Sequence, residues 1–242
     1  GADWDEDFWM TGEVYGHGVG KSGYFDDNNG DGINDFESVI NFNFPKNGDL
    51  SSIGGTWSYY AQEINSDPEF NVLSYISSHD EGLHANGNKI NTGTALLLSP
   101  GGIQIFYGDE VDRAPGVGAN TSDPMQGSRS DYPWSSQNES VLDHWRKLGQ
   151  FRNNHPAVGA GQQTDLGNDT YLRTWDGNDD GITDDKVIIK INGSGTTTID
   201  VSQAFADGIT VENAYTGNTA TVNSGTVNFD FNNSVILIEK AQ

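Results

Sequence analysis

The chain has 242 residues, of which 34% are hydrophobic and 11% aromatic, so it can bury a substantial core. Thirty-five acidic residues against twelve lysines and arginines give a formal net charge of −23, which argues against nucleic acid or an anionic membrane as a partner. Because there is no cysteine, disulfide counting says nothing about the compartment. The sequence shows no signal peptide and no apolar run of membrane-spanning length, although its first residues do not resemble a natural start.

The first 156 residues repeat one plan four times. Short apolar runs at 8–10, 39–42, 72–76 and 103–106 recur at intervals of about thirty residues, the length of a strand followed by a helix. This spacing predicts four parallel strands joined by helical segments. Four strands are half of the number that closes a TIM barrel, so we predict half a barrel.

Three helices are predicted between and after these strands. Apolar residues over 50–64 recur at intervals of three and four behind a possible N-terminal cap at Asp49. A shorter, mostly buried helix is predicted over 91–98. Ser136 and Glu139 have the spacing of a capping box and predict the start of a third helix.

From about residue 157 the sequence changes to β-branched runs separated by Gly, Asn and Asp. Such runs predict short antiparallel strands of a small β-sandwich. The sequence pattern predicts the fold class α/β then all-β: half of a TIM (β/α)8 barrel over 1–156, then a β-sandwich over 157–242. The runs lie at 171–175, 186–192, 196–201, 209–214 and 235–239.

Acidic residues follow several of the predicted barrel strands. Glu13 follows the first strand, His79 and Asp80 follow the third, and Asp109 and Glu110 follow the fourth. Because the carboxyl ends of parallel strands share one rim, we expect these side chains to lie close together. Glu13 is the first catalytic candidate, and its alternative is a solvated loop glutamate. For His79 beside Asp80 the alternative is a structural loop pair.

The motifs at these strand ends resemble a known family. Segments 12–14, 78–80 and 101–110, in this order and spacing, are similar to the second half of the α-amylase family of retaining glycoside hydrolases. The trailing sandwich resembles the domain usually called domain C. Segments 15–19 and 122–131 are similar to the branch with periplasmic and secreted maltodextrin-cleaving amylases, so the resemblance implies a secreted or periplasmic enzyme.

The resemblance implies a role for each matching residue. Glu13 matches the general acid/base, which protonates the departing glycosidic oxygen and later activates water. Asp80 matches the second acid, which holds sugar hydroxyls and stabilises the oxocarbenium-like transition state. His79 matches the neighbour that hydrogen-bonds the same sugar. Asp109 and Glu110 match residues that brace the rim.

Three further residues are candidates for sugar contacts. Aromatic faces stack on pyranose rings, so Tyr15, His17 and Trp134 are expected either to line sugar subsites or to pack within loops.

The family's nucleophile has no match in this sequence. In the family it is an aspartate that follows an arginine and lies about thirty residues before the acid/base. Retaining chemistry needs this carboxyl as well as the acid/base, with the two about 5–5.5 Å apart. Asp3, Asp5 and Asp7 lie too close to Glu13 and lack that arginine. We therefore expect the nucleophile to lie on an N-terminal half of the enzyme, which is either a separate or a cleaved chain. The alternative is that this chain is an orphan fragment.

The resemblance implies endo-hydrolysis of α-1,4-glucosidic bonds in starch and maltodextrins, with α-glucan as substrate and no nucleic acid or membrane partner. One alternative is a non-catalytic glucan-binding or regulatory half-barrel. A third possibility treats Glu13 and Asp80 as an inverting pair, which needs carboxyls about 6.5–9.5 Å apart.

A nine-residue pattern, D-x-N-x-D-G-I-x-D, occurs at 27–35 and again at 176–184. Alternating acids and amides with glycine in sixth place resemble the front of a calcium loop. Neither copy has the bidentate Glu of a complete EF-hand loop, and the alternative is an ordinary Asn/Asp/Gly turn. We predict two structural Ca2+ sites, because clustered acids repel one another without a cation. The predicted ligands are Asp27, Asn29, Asp31, Asp35, Asp176, Asn178, Asp180 and Asp184.

Overall fold

Four short strands form a parallel sheet in which chain order equals spatial order. The structure is a computed structural model that describes residues 9–20, 23–25, 30, 35–67, 70–116, 127–178, 180–231 and 235–242. Each strand pairs in parallel with the next, so the four carboxyl ends lie on one rim. The strands are β1 (Thr11–Gly12), β2 (Ser38–Asn41), β3 (Asn71–Tyr75) and β4 (Gly102–Gln104).

The first strand lies later in the chain than the sequence predicts. Pairing with β2 begins at Thr11, whereas Trp9 and Met10 are 46% and 36% exposed and Phe8 lies outside the described residues. The prediction of a buried strand over 8–10 is therefore wrong in position. The physical reason is that β1 is an edge strand, so no described strand lies beside it to bury the preceding side chains.

Helix α1 (Ile53–Ile64) confirms the predicted amphipathic pattern, because it buries Trp57 and the other apolar residues of that stripe. The predicted cap is wrong. Asp49 Oδ1 accepts the N–H of Ser51 (2.9 Å), which fixes a turn before the helix, and the N-cap residue is Ser52. A short acidic side chain that bonds locally favours a turn over the helix itself.

The two later helices predicted from the sequence are present with different starts, and the structure adds a short helix, Pro156–Ala160, that the sequence does not predict. The capping box predicted at Ser136 is wrong, because the N-cap residue is Asn138, whose side chain accepts the N–H of Val141 at 3.4 Å. None of the helices in the described part of the chain is both long and apolar enough to span a membrane. The helices are α2 (Lys89–Leu97), α3 (Glu139–Asn154) and α4 (Pro156–Ala160).

Eight antiparallel strands form the second part of the fold. They make a six-stranded sheet in the order β10-β9-β12-β7-β6-β5 and a two-stranded sheet of β11 and β8. The strands are β5 (Gln162–Gly167), β6 (Thr170–Trp175), β7 (Asp185–Ile191), β8 (Gly195–Asp200), β9 (Thr210–Asn213), β10 (Asn218–Thr221), β11 (Thr226–Phe231) and β12 (Val235–Lys240).

The central strands of the six-stranded sheet are buried on both faces. Along β7, Val187 and Ile189 belong to the core shared with the half-barrel, while Ile188 belongs to the core under the two-stranded sheet. In β12, Leu237 and Ile238 face these two cores in the same way. The fold is thus the second half of a TIM barrel followed by a β-sandwich. The division between residues 156 and 157 stays a prediction.

A buried arginine joins the two parts. Arg173 of β6 is fully buried and donates to the carbonyls of Leu98 (3.1 Å) and Val158 (2.8 Å) and to Gln163 Oε1 (2.7 Å). Burial lowers the pKa of its guanidinium to about 9. The loop after α2, helix α4 and strand β5 therefore meet at one charged group.

His155, between α3 and α4, makes a second link to the sandwich. Its Nδ1 lies 2.9 Å from Asp185 Oδ1 at the start of β7, and its Nε2 contacts Glu239 Oε2 in β12. Burial opposes protonation of the imidazole, but hydrogen bonds to the two carboxylates dominate and raise the pKa of His155.

We expect His155→Gln to destabilise the protein more at pH 6 than at pH 9. Because the folded-state pKa is raised, the contribution of protonated His155 is complete below the unfolded value of about 6.5 and is lost as pH rises through the folded value. Thermal unfolding of wild type and variant at both pH values measures the difference. An equal loss of melting temperature at pH 6 and pH 9 would contradict the role of the charged imidazole.

Candidate active site

A cleft of about 70 Å3 lies at the carboxyl ends of the parallel strands. Glu13 follows β1, Tyr75 ends β3, and Gln104 ends β4, and all three line the cleft together with His79 and Asp80. The structure therefore brings the two predicted catalytic acids and the predicted sugar-binding histidine to one place. Their chemical roles stay predictions.

A tight turn presents His79 and Asp80 to solvent. Ser78 and Gly82 exchange two backbone hydrogen bonds of 3.1 Å, and Gly82 has a φ of 103°, which favours glycine. Ser78 Oγ accepts the N–H groups of Asp80 (3.3 Å) and Glu81 (2.9 Å). At the tip, His79 Nε2 lies 3.2 Å from Asp80 Oδ2.

A buried ion pair lies beneath this turn. Lys89 Nζ, at the start of α2, is 2.5 Å from Asp109 Oδ1, and Ser77 Oγ donates to the same oxygen at 2.7 Å. Lys89 also donates to the carbonyl of His84 (2.6 Å), and His84 N–H donates to Ser77 Oγ (3.1 Å). Burial lowers the pKa of His84, so its ring is predominantly neutral at neutral pH.

A second charged group supports the wall of the cleft. The Tyr75 hydroxyl donates to Glu81 Oε2 at 2.5 Å and accepts from Lys46 Nζ at 3.2 Å, and Lys46 also pairs with Glu81. Burial and the hydrogen bond to Glu81 raise the pKa of Tyr75, so the phenol stays neutral. Burial tends to raise the pKa of Glu81, but its hydrogen bonds with Lys46 and Tyr75 outweigh burial and lower that pKa.

Segment 127–130 contacts the Ser78–Gly82 turn, called the catalytic turn after the roles predicted for His79 and Asp80. Ser128 Oγ donates to the carbonyl of His79 (3.0 Å), and Arg129 Nη2 lies 3.5 Å from Asp80 Oδ1. The sequence alone predicts no role for Arg129, Lys46, Glu81 or Tyr75. The one signal available was the rarity of basic residues in so acidic a chain.

The three predicted sugar-contact residues lie at different places. Tyr15 is 85% exposed and its ring is 5.3 Å from that of Phe42, a residue that lines the cleft. Trp134 is 81% exposed and lies against Tyr132, with ring centroids 4.6 Å apart. His17 lines a separate depression of about 490 Å3, and its Nδ1 is 2.7 Å from the carbonyl of Gly18. The structure thus does not bring His17 into the cleft with Glu13.

The predicted calcium loops are described only in part. Asp27, Asn29 and Asp31 lie outside the described residues, as does Asp179 of the second loop, whereas Asp35 and the rest of the second loop are described. In the second loop, each of the four predicted ligands accepts a hydrogen bond from a backbone N–H of the same loop. Gly181 donates to Asp176 Oδ2 (2.7 Å), Asp180 to Asn178 Oδ1 (3.1 Å), Ile182 to Asp180 Oδ1 (2.8 Å) and Gly177 to Asp184 Oδ2 (2.9 Å).

One buried carboxylate oxygen of the second loop accepts no hydrogen bond. Asp176 Oδ1 is buried and has no hydrogen-bond partner, which suits a cation ligand. Within the described ranges, however, no group of three or more His, Cys, Asp or Glu side chains is arranged to hold a metal ion. The calcium sites therefore stay a prediction.

Half a parallel barrel, a sandwich packed on its helices and a rim cleft with two acids are typical of the C-terminal part of a TIM-barrel enzyme. No family model matches the chain. The chain is 40% identical over 193 residues to the periplasmic alpha-amylase of Escherichia coli (strain K12), a match that covers 72% of this chain and 27% of the relative. This chain belongs to the α-amylase family.

Solved structures give the same fold. The alpha-amylase from Geobacillus thermoleovorans, complexed with acarbose, matches with a TM-score of 0.60 and 15% identity over 98% of this chain and 55% of its own. The protein AmyP, in complex with maltose, matches with a TM-score of 0.61 and 14% identity over 95% of this chain and 55% of its own. The chain spans about a quarter of the length of the curated relative and about half of these structures.

Proposed function

We propose that this chain supplies the C-terminal part of the active site of an α-amylase-type enzyme, which hydrolyses α-1,4-glucosidic bonds of starch and maltodextrins with retention. The observation that carries the proposal is that Glu13, His79 and Asp80, from two separate strand ends, line one cleft. The relative from Escherichia coli is a periplasmic alpha-amylase, and structural neighbours were solved with maltose and acarbose.

In this proposal Glu13 is the general acid/base. It donates a proton to the glycosidic oxygen as the bond breaks, and in the second half of the reaction it accepts a proton from the attacking water. Glu13 follows β1 and lines the cleft, so the proposed site of bond cleavage is at the strand rim.

Asp80 acts on the sugar ring rather than on the leaving oxygen. An ionised carboxylate opposes the positive charge that develops on the ring, so its contribution is largest in the transition state. His79, whose Nε2 is 3.2 Å from Asp80 Oδ2, binds a hydroxyl of the same sugar. Tyr15 extends this surface outward from the aromatic ring of Phe42.

The nucleophile is contributed from outside these 242 residues. Four strands are half of a closed barrel, and the chain matches about half of the neighbouring structures, which supports an active site shared with an N-terminal half. Whether that half is a separate or a cleaved chain does not change the chemistry. The alternative is a half-barrel that binds glucan in the same cleft but does not hydrolyse it. An inverting Glu13 and Asp80 pair is distinguished by the anomer first released.

We also propose a secreted or periplasmic location, which the Escherichia coli relative supports, and two structural calcium loops. The buried, unpartnered Oδ1 of Asp176 supports the second loop. Calcium there would neutralise Asp176, Asp180 and Asp184 and stiffen the turn without entering the reaction.

Glu13→Gln in the complete enzyme should lower turnover on starch by about 10²- to 10⁴-fold while the melting temperature is kept, because the amide cannot donate or accept the proton. Asp80→Asn should also lower turnover more than it raises KM. Glu63→Gln on α1 and Asp143→Asn on α3 are matched controls, since both lie on helices and away from the cleft. A Glu13→Gln enzyme with a tenth of wild-type turnover would remove Glu13 from this role.

The 242-residue chain by itself should not hydrolyse starch. Without the nucleophile no glycosyl-enzyme intermediate forms, and adding the N-terminal half should restore activity. The assay compares reducing ends released by the chain alone, by the N-terminal half alone and by the mixture. Hydrolysis by the lone chain would overturn the external nucleophile and direct attention to Asp3, Asp5, Asp7 and Asp80.

Chelation should lower the melting temperature without abolishing the chemistry directly. A ligand that binds only the folded state stabilises it by about 2.7 kcal/mol at a hundredfold excess over its dissociation constant. Scanning calorimetry with calcium and with excess chelator tests the proposal, and Asp176→Asn should reduce the difference between the two scans. Identical scans would argue against calcium at either loop.

A further inference from the structure

The carboxylate of Asp80 has a different partner on each oxygen. His79 Nε2 lies 3.2 Å from Oδ2, and Arg129 Nη2 lies 3.5 Å from Oδ1. Asp80 stands on an exposed turn, where an isolated carboxylate samples several rotamers and loses that freedom when it binds a ligand. A partner on each oxygen restricts this rotation before substrate arrives.

The backbone on both sides of Arg129 is anchored to one buried guanidinium. Arg113 Nη2 donates to the carbonyl of Ser128 at 3.0 Å, and Arg113 Nη1 donates to the carbonyl of Ser130 at 2.9 Å and to its hydroxyl at 2.6 Å. Ser128 is buried as well, and its Oγ donates to the carbonyl of His79. The position of Arg129 relative to the catalytic turn is therefore fixed from two directions.

Arg113 is itself held tightly against the end of the fourth strand. Its Nε donates to the carbonyl of Tyr107 (3.0 Å), and its guanidinium carbon lies 4.0 Å from the Tyr107 ring centroid. Gly108 makes this possible, because a Cβ there would lie 2.4 Å from Arg113 Nε and its φ is 90°. The guanidinium of Arg113 thus binds backbone, and the arginine that reaches Asp80 is Arg129.

We propose that Arg129 is a positioning residue for Asp80, held in place by Arg113, and this inference rests on the proposed function. Arg129 does not bind the reacting bond; it acts by keeping the carboxylate in the orientation that meets the sugar. Preorganised groups accelerate the chemical step because they are not reordered at each turnover. Exposed ion pairs contribute little to folding stability, so the effect belongs to turnover and not to the melting temperature.

The test uses the complete enzyme, comprising this chain and the rest of its barrel. Arg129→Ala should lower kcat on maltooligosaccharides about tenfold, with KM changed by less than about threefold and the melting temperature unchanged. Arg129→Lys should recover part of the loss, because an ammonium retains the charge but not the planar fork. Arg146→Ala, which removes an exposed arginine from α3, is the matched control and should behave as wild type.

A double-mutant cycle distinguishes action through Asp80 from a general structural role. In an Asp80→Asn background, Arg129→Ala should cause no more than about a twofold further loss, because the group it positions is already disabled. Wild-type kcat in Arg129→Ala, or the same tenfold loss in both backgrounds, would overturn the inference. Failure of the wild-type complete enzyme to hydrolyse glucan would instead refute the proposed function.

Discussion

The buried ion pair between Lys89 and Asp109 is the interaction on which the rim of the half-barrel depends. Both side chains are almost fully removed from water, and breaking such a pair by removing one partner costs about 3–5 kcal/mol. The pair joins the first residue of α2 to the turn after β4, and Ser77 and His84 bind it from the two ends of the catalytic turn. The position of Asp80 is therefore set from below by buried charge, and from the side by segment 127–130.

These two supports differ in character. The Lys89–Asp109 ion pair is buried, whereas the contact of Arg129 with Asp80 is exposed to solvent, where water and salt compete with it. Under the proposed function, this division suits a carboxylate that binds and releases sugar at each turnover. The backbone N–H of Asp80 is hydrogen-bonded to Ser78 Oγ, while its side chain is 60% exposed. The hydrogen bonds among Lys46, Tyr75 and Glu81 join the end of β3 to the same turn beside the cleft.

Much of the fold and part of the site could be predicted from the sequence, because both have a local signal. The period of α1 and the β-branched run of β7 are visible in any short window, and the acids at strand ends share a rim whenever the strands are parallel. Contacts such as Arg113 with Ser128 or Lys46 with Glu81 join residues far apart in sequence and carry no periodic pattern. The cap at Asn138 was missed because several polar residues precede α3 and only tertiary packing decides among them.

The place of β12 in the six-stranded sheet has a consequence for how the protein is made. Among the strands in the described part of the chain, β12 is the last in sequence, yet it lies between β9 and β7 near the middle of the sheet. On the ribosome, β7 and β9 emerge earlier. Each lacks the partner strand β12, which pairs with both of them, until Val235–Lys240 is released. The six-stranded sheet is therefore completed only when Val235–Lys240 is available, although β5, β6 and β7 pair with one another without it. A nascent chain that stops short of β12 exposes apolar edges that chaperones and proteases recognise.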